Sequence, residues 1–263
     1  MIGQHFPKQN TVYLKNVFTT KDLLWFKQKW ESTKHLAHKA YENSDHLILP
    51  IGHKIYIDEC LNHIIQQLNL PAEKMIGDNW FFTDQGYGPH ADAPKGMLGQ
   101  YLHVVVPIEK SFLEPHSLIV FDQASKIGTL SFTGKFEQNG IAVADEDVAK
   151  NIDNQHHRFM DCQKTGVARS EYVTNSTESP IDDDFYQRYC DWIYPKNMFW
   201  GLSGHVLPWQ PGDVIMFNSS QIHATGRMPE NTSKLGISML FQLESDEECE
   251  KYKLNPAFNF ATI

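Results

Sequence analysis

The chain has 263 residues, 41% of them hydrophobic and 21% charged, with a net charge of −9. That length suits one large domain, or one domain with an insertion, and the apolar content is enough for a packed core. The acidic balance, with no dense Lys/Arg block, argues against a general nucleic-acid binder, and no apolar run reaches the ~18 residues of a membrane span.

Sixteen Phe, ten Tyr and six Trp favour a β-rich globule. Cys60, Cys162, Cys190 and Cys249 are far apart and make no C-x-x-C pair. They read as reduced structural thiols in a reducing compartment. The N-terminus lacks the apolar stretch of a signal peptide, so the expected location is cytoplasmic.

Thr11–Phe18 alternates and predicts a short strand. Thr19 and Thr20 then precede an apolar stripe at Leu23, Leu24, Phe26 and Trp30, which marks the start of an amphipathic helix. Within 55–70, Ile57, Cys60, Leu61, Ile64, Ile65 and Leu68 recur at helical spacing, and Pro71 lies just beyond. Both helices are expected to brace one face of a sheet. Residues 1–78 therefore read as an N-terminal strand with bracing helices.

From Trp80 the texture is β. Trp80–Thr83 predicts a strand that leads into a Gly/Pro-rich stretch at 85–96, and Gln100–Ile108 and Leu118–Phe121 predict two more. Residues 122–208 read as a long insertion with some helix, notably at 183–193. An excursion of that length inside a compact domain is usually functional or disordered, and this one is expected to cover the active site. Beyond it, Pro211–Asp213 is a turn, Val214–Phe217 a strand and 225–233 a hairpin. Lys234–Leu243 is a long alternating strand. Leu235, Ile237, Met239 and Phe241 share one of its faces; Lys234, Gly236, Ser238 and Leu240 share the other. Residues 244–253 read as a charged helix or tail.

His90-Ala91-Asp92 is the one His-x-Asp in the chain. On an extended segment residues i and i+2 point to the same side, so an imidazole and a carboxylate are held together. His223 supplies a second imidazole late in the chain. Two His and one carboxylate on one face of an ion leave half of an octahedral shell open, the facial ligand set of non-haem Fe(II) oxygenases. Lys234, across the hairpin from His223, is placed to hold an anion near that ion, and Arg227 competes for the same part. Tyr101 and His103 alternate onto one face of the strand after the motif.

Gly86-Tyr87, His90-x-Asp92-x-Pro94-x-Gly96, Pro211–Phe217, His223 and Lys234 together resemble the 2-oxoglutarate/Fe(II)-dependent dioxygenase superfamily. The first run looks like the prolyl-hydroxylase branch. The Gly-Asp-strand-His run looks equally like the phytanoyl-CoA-hydroxylase branch. The resemblance implies a mainly β fold with flanking α-helices, a double-stranded β-helix (jelly roll, cupin-like) in which 1–263 form a single domain. It implies Fe(II) held by a catalytic centre of His90, Asp92 and His223. It also implies 2-oxoglutarate as co-substrate, anchored by Lys234 or Arg227, with Tyr101 and His103 on the face that contacts it. Dioxygen would be the oxidant, and the oxo acid would be decarboxylated to succinate.

Most of that superfamily has Arg where this chain has Lys234, so a point charge replaces a bidentate fork. Asp92 is the carboxylate that related halogenases lack, which favours hydroxylation or another oxidation. A small-molecule substrate is the leading expectation. The same chemistry on a protein side chain is one alternative, and a cupin-like barrel that binds metal or ligand without turnover is another.

Overall fold

The computed structural model describes residues 11–39, 47–50, 54–84, 86, 88–92, 100–112, 117–125, 130–131, 135–136, 142–143, 158–159, 173, 177, 179–191, 196–226 and 228–243. In chain order the strands are β1 (Val12–Leu14), β2 (His38–Lys39), β3 (Leu47–Pro50), β4 (Met75–Thr83), β5 (His90–Ala91), β6 (Gln100–Lys110), β7 (Ser117–Ala124), β8 (Leu130–Ser131), β9 (Lys135–Phe136), β10 (Ala142–Val143), β11 (Arg158–Phe159), β12 (Gly204–Pro208), β13 (Val214–Asn218), β14 (Gln221–Thr225) and β15 (Lys234–Leu243). The helices are α1 (Thr20–Thr33), α2 (Lys54–Leu68) and α3 (Asp183–Tyr189).

Seven strands form one sheet in the order β1-β13-β6-β15-β4-β3-β2, and six form another in the order β11-β8-β5-β14-β7-β12. From β4 to β7, and again from β12 to β15, successive strands alternate between the two sheets. That winding is a double-stranded β-helix, and the pairing is antiparallel except where β11 meets β8. Among the described residues no helix is long and apolar enough to cross a membrane.

Three apolar layers follow from the period-two pattern. Leu235, Ile237, Met239 and Phe241 leave β15 on its outer face and pack with Phe26 and Trp30 of α1 and Leu61, Ile64 and Leu68 of α2. The helices thus brace one face of the seven-stranded sheet, as their stripes predict, except that Leu24 of the α1 stripe is exposed. Trp30 stacks on Trp80 of β4 at 5.9 Å between ring centroids. Between the sheets lie Val105, Val120, Leu207, Trp209, Ile215 and Phe217. Outside the six-stranded sheet, Ile119, Phe121 and Ile222 meet Ile181, Phe199 and Leu202.

Local chemistry sets the element ends. Thr19 caps α1 in a reciprocal box: its side chain accepts from the Asp22 amide, and the Asp22 carboxylate accepts from the Thr19 amide at 2.8 Å. The predicted strand 11–18 ends early, at Leu14, because Asn16 takes φ +53° and turns the chain. The Asn16 amide donates to Asp213 at 2.7 Å, and the Tyr13 hydroxyl donates to the same buried carboxylate. In the turn after Trp209, Gly212 has φ +91°, and a Cβ there would lie 2.7 Å from the Phe18 carbonyl oxygen. Only glycine fits both demands.

The predicted strands 80–83 and 118–121 are longer than expected, at 75–83 and 117–124. The expected helix at 183–193 stops at Tyr189. Both ends of the 122–208 stretch lie within the sheet, since β7 runs to Ala124 and pairs with β12. Most of its middle, and 244–253, fall outside the described residues. Cys60 and Cys190 are buried free thiols, and burial pushes both up to about 12. Cys162 and Cys249 lie outside the described residues.

Candidate metal centre

β5 is short, but its register is decisive: His90 stands directly opposite His223 of β14. The two rings are 4.2 Å apart between centroids. Ala91 points the other way, into the outer apolar cluster with Ile222 and Ala224. Asp92 returns to the His90 side by the same alternation. Its backbone N–H is fixed on the Ser219 carbonyl at 3.0 Å.

Backbone carbonyls orient both rings. The Nδ1–H of His90 donates to Gly88 O at 2.8 Å, and that of His223 donates to Gln221 O at 3.0 Å. A carbonyl only accepts, so the proton sits on Nδ1 and each Nε2 lone pair faces inward. Asp92 Oδ1 lies 3.8 Å from His90 Nε2, and Oδ2 lies 3.2 Å from His223 Nε2. The ligand atoms of all three residues fall within 4.8 Å of one another. Burial raises the Asp92 pKa, but the imidazoles of His90, His223 and His103, when protonated in the metal-free centre, outweigh it and hold the carboxyl well below its usual range. Inward lone pairs and a carboxylate repel one another unless a cation sits among them. The donor set therefore fits a divalent metal such as Fe(II), with half of its shell left open.

His90 and His223 come from the six-stranded sheet, and Asp92 directly follows β5. The facing sheet contributes the rest. His103 of β6 is 7% exposed at its side chain, and its Nδ1 stands 3.7 Å from Asp92 Oδ2. Its Nε2 is 2.6 Å from the Ser238 hydroxyl of β15. Burial, above all, lowers its pKa to about 4, so the ring is neutral.

Lys234 opens β15 and is 3% exposed. Its Nζ donates to Thr225 Oγ1 at 3.2 Å and lies 4.5 Å from the Trp209 ring centroid. No carboxylate pairs with it among the described residues, and burial lowers its pKa to about 7. Gly236, the next residue on that face, gives Trp209 its room: a Cβ there would sit 2.9 Å from the indole. The Trp209 Nε1–H is held by Glu109 O at 3.3 Å.

The fold thus brings His90, Asp92, His223 and His103 together, with Lys234 alongside Thr225 two residues beyond His223. Tyr101 lies in β6, but its side chain falls outside the described residues, as do Arg227, Tyr87, Pro94 and Gly96. Ser238, Thr225 and Trp209 were not picked out from sequence. Ser238 shares a face with Lys234, and Thr225 shares one with His223, which was the available signal. Trp209 gave none.

No family model matches the chain, and no curated protein does. Among solved structures it is similar to the non-heme alpha ketoglutarate dependent epimerase SnoN from nogalamycin biosynthesis, with a TM-score of 0.50 and 10% identity over 89% of this chain and 77% of that one. The carbocyclase SnoK from the same biosynthesis gives 0.49 and 12% over 97% and 91%. A prolyl-4-hydroxylase from Pseudomonas putida gives 0.44 and 9% over 90% and 94%. At such identity the likeness to SnoN is one of architecture, and the chain has the jelly-roll fold of that enzyme.

Proposed function

We propose that the chain is an Fe(II)- and 2-oxoglutarate-dependent oxygenase that oxidises a small-molecule substrate. His90, Asp92 and His223 would hold the iron. Bound iron and oxo acid supply oxidation of a substrate C–H by dioxygen, coupled to decarboxylation of 2-oxoglutarate to succinate. The protein's part is to place and shield these groups.

The observation that supports this reading best is the buried cation beside the triad, which has no carboxylate partner among the described residues. Thr225 lies two residues past His223 on the same face, a step of about 7 Å along a strand. Lys234 is hydrogen-bonded to Thr225. A five-carbon oxo diacid has the length to bind at the open metal face through its 2-oxo acid end and reach Lys234 with its distal carboxylate. Trp209 packs against the ammonium, so little water competes for that carboxylate. SnoN, described as alpha ketoglutarate dependent, has the same architecture. Ile181, Phe199 and Leu202 of the 122–208 stretch pack behind Ala91 on the outer face of the six-stranded sheet, away from the metal side, so these residues do not carry the cover we assign to that stretch.

Anaerobic addition of Fe(II) and then 2-oxoglutarate tests the reading. A visible charge-transfer band that needs both additions is expected, and Lys234→Ala should raise the 2-oxoglutarate concentration at half-saturation at least tenfold. Metal binding with no such band would leave a cupin-like metal binder as the better description.

A further inference from the structure

We infer that His103 is a positioning residue of the metal centre: held by Ser238, it turns an Nδ1–H towards Asp92 and so sets the affinity for metal. The inference rests on the triad as the metal site, not on 2-oxoglutarate as co-substrate.

His103 is buried, yet its Nδ1 has no hydrogen-bond partner among the described residues. Such atoms are rare in folded proteins and ask for an explanation. The ring has little freedom. Phe217 lies 4.7 Å from it between centroids, and His223 meets it edge-on at 5.6 Å. The Ser238 hydroxyl pins the far nitrogen at 2.6 Å. Ser238 pairs with Val105 across the β6–β15 ladder, so His103 reaches it diagonally on the inner face. What remains is one nitrogen aimed at the centre, with Asp92 Oδ2 before it at 3.7 Å.

The identity of that neighbour fixes the proton. A lone pair on Nδ1 would face a carboxylate, whereas an N–H there is attracted to it. The Nδ1–H tautomer therefore wins, and the Ser238 O–H donates to Nε2. The separation is just beyond hydrogen-bond length, within easy reach of a small carboxylate rotation. A carboxylate that binds metal through one oxygen leaves the other free, and partners of that kind orient metal ligands. The tight set of ligand atoms is His90, Asp92 and His223, and His103 does not join it. It is a neighbour of the carboxylate and not a fourth ligand.

The test is Co(II) titration of the metal-free protein, without 2-oxoglutarate, followed by d–d absorption. His103→Gln keeps an amide near Ser238 but loses the inner N–H, while His103→Asn keeps an amide N–H near the Nδ1 position. His103→Gln is expected to lose about 10- to 100-fold in Co(II) affinity. His103→Asn should stay within a few-fold of wild type, and Ser238→Ala, which only frees the ring, should fall between. Wild-type affinity in both His103→Gln and Ser238→Ala would overturn the inference. So would a changed Co(II) band shape in His103→Asn, since that is the mark of a fourth ligand. Should His103→Gln fail to fold, Ser238→Ala against His103→Asn decides the matter alone. A missing charge-transfer band with 2-oxoglutarate would sink the oxygenase reading and leave this one standing.

Discussion

Lys234 is a cation buried without a counter-ion among the described residues, and this has two opposite consequences for pH. Its pKa is about 7 in the folded chain and 10.5 when exposed. Between those values the unfolded state binds more protons, so the stability of the free protein rises with pH across that window; below it the full burial cost remains. Lys234→Met should therefore stabilise the ligand-free protein near pH 7, with a gain that fades towards pH 10. Urea unfolding at the two pH values measures it, and equal midpoints for variant and wild type at pH 7 would contradict the account. Affinity for 2-oxoglutarate should move the other way and weaken above pH 7, because the anion needs the charged lysine. The triad was legible in sequence because metal-type side chains in i, i+2 alternation share a face whatever the fold. The Ser238 partner of His103 was not. That contact depends on the register between β6 and β15, which neither strand encodes alone.

At the scale of elements, β15 is the best-specified segment. Its bounds and both of its faces follow from period-two alternation between a polar hairpin and a charged tail. Strand β1 was over-read, since a positive φ at Asn16 and a carboxylate 197 residues away end it. Trp209 was missed because an indole in a connection could pack in many directions. The site depends on that indole, and Gly236 admits it. Gly236→Ala should cost about 1–3 kcal/mol in urea unfolding, as overpacking does. It should also weaken 2-oxoglutarate binding several-fold by shifting Trp209 off Lys234. A variant as stable as wild type would show that the indole yields freely.

For the whole molecule, the jelly roll was readable only through the motif resemblance, since composition and alternation specify strands but not the winding that sends them to alternate sheets. In the six-stranded sheet β5 is a two-residue strand between β8, equally short, and β14. A metal held by His90, Asp92 and His223 would staple β5 to β14. Free Mn(II) at a hundredfold excess over its dissociation constant should stabilise the protein by about 2.7 kcal/mol. A raised unfolding midpoint, lost on chelation and absent in His223→Ala, is the expected record. The three ligands stand at one sheet and the buried lysine on the other, so a molecule that touches both is a strut across the sandwich. Loading it would add a further polar tie between two layers already joined by apolar side chains and the Lys234–Thr225 hydrogen bond. The gap between them then acts as a gauge: a diacid too short leaves one wall untouched, and one too long must wedge the walls apart.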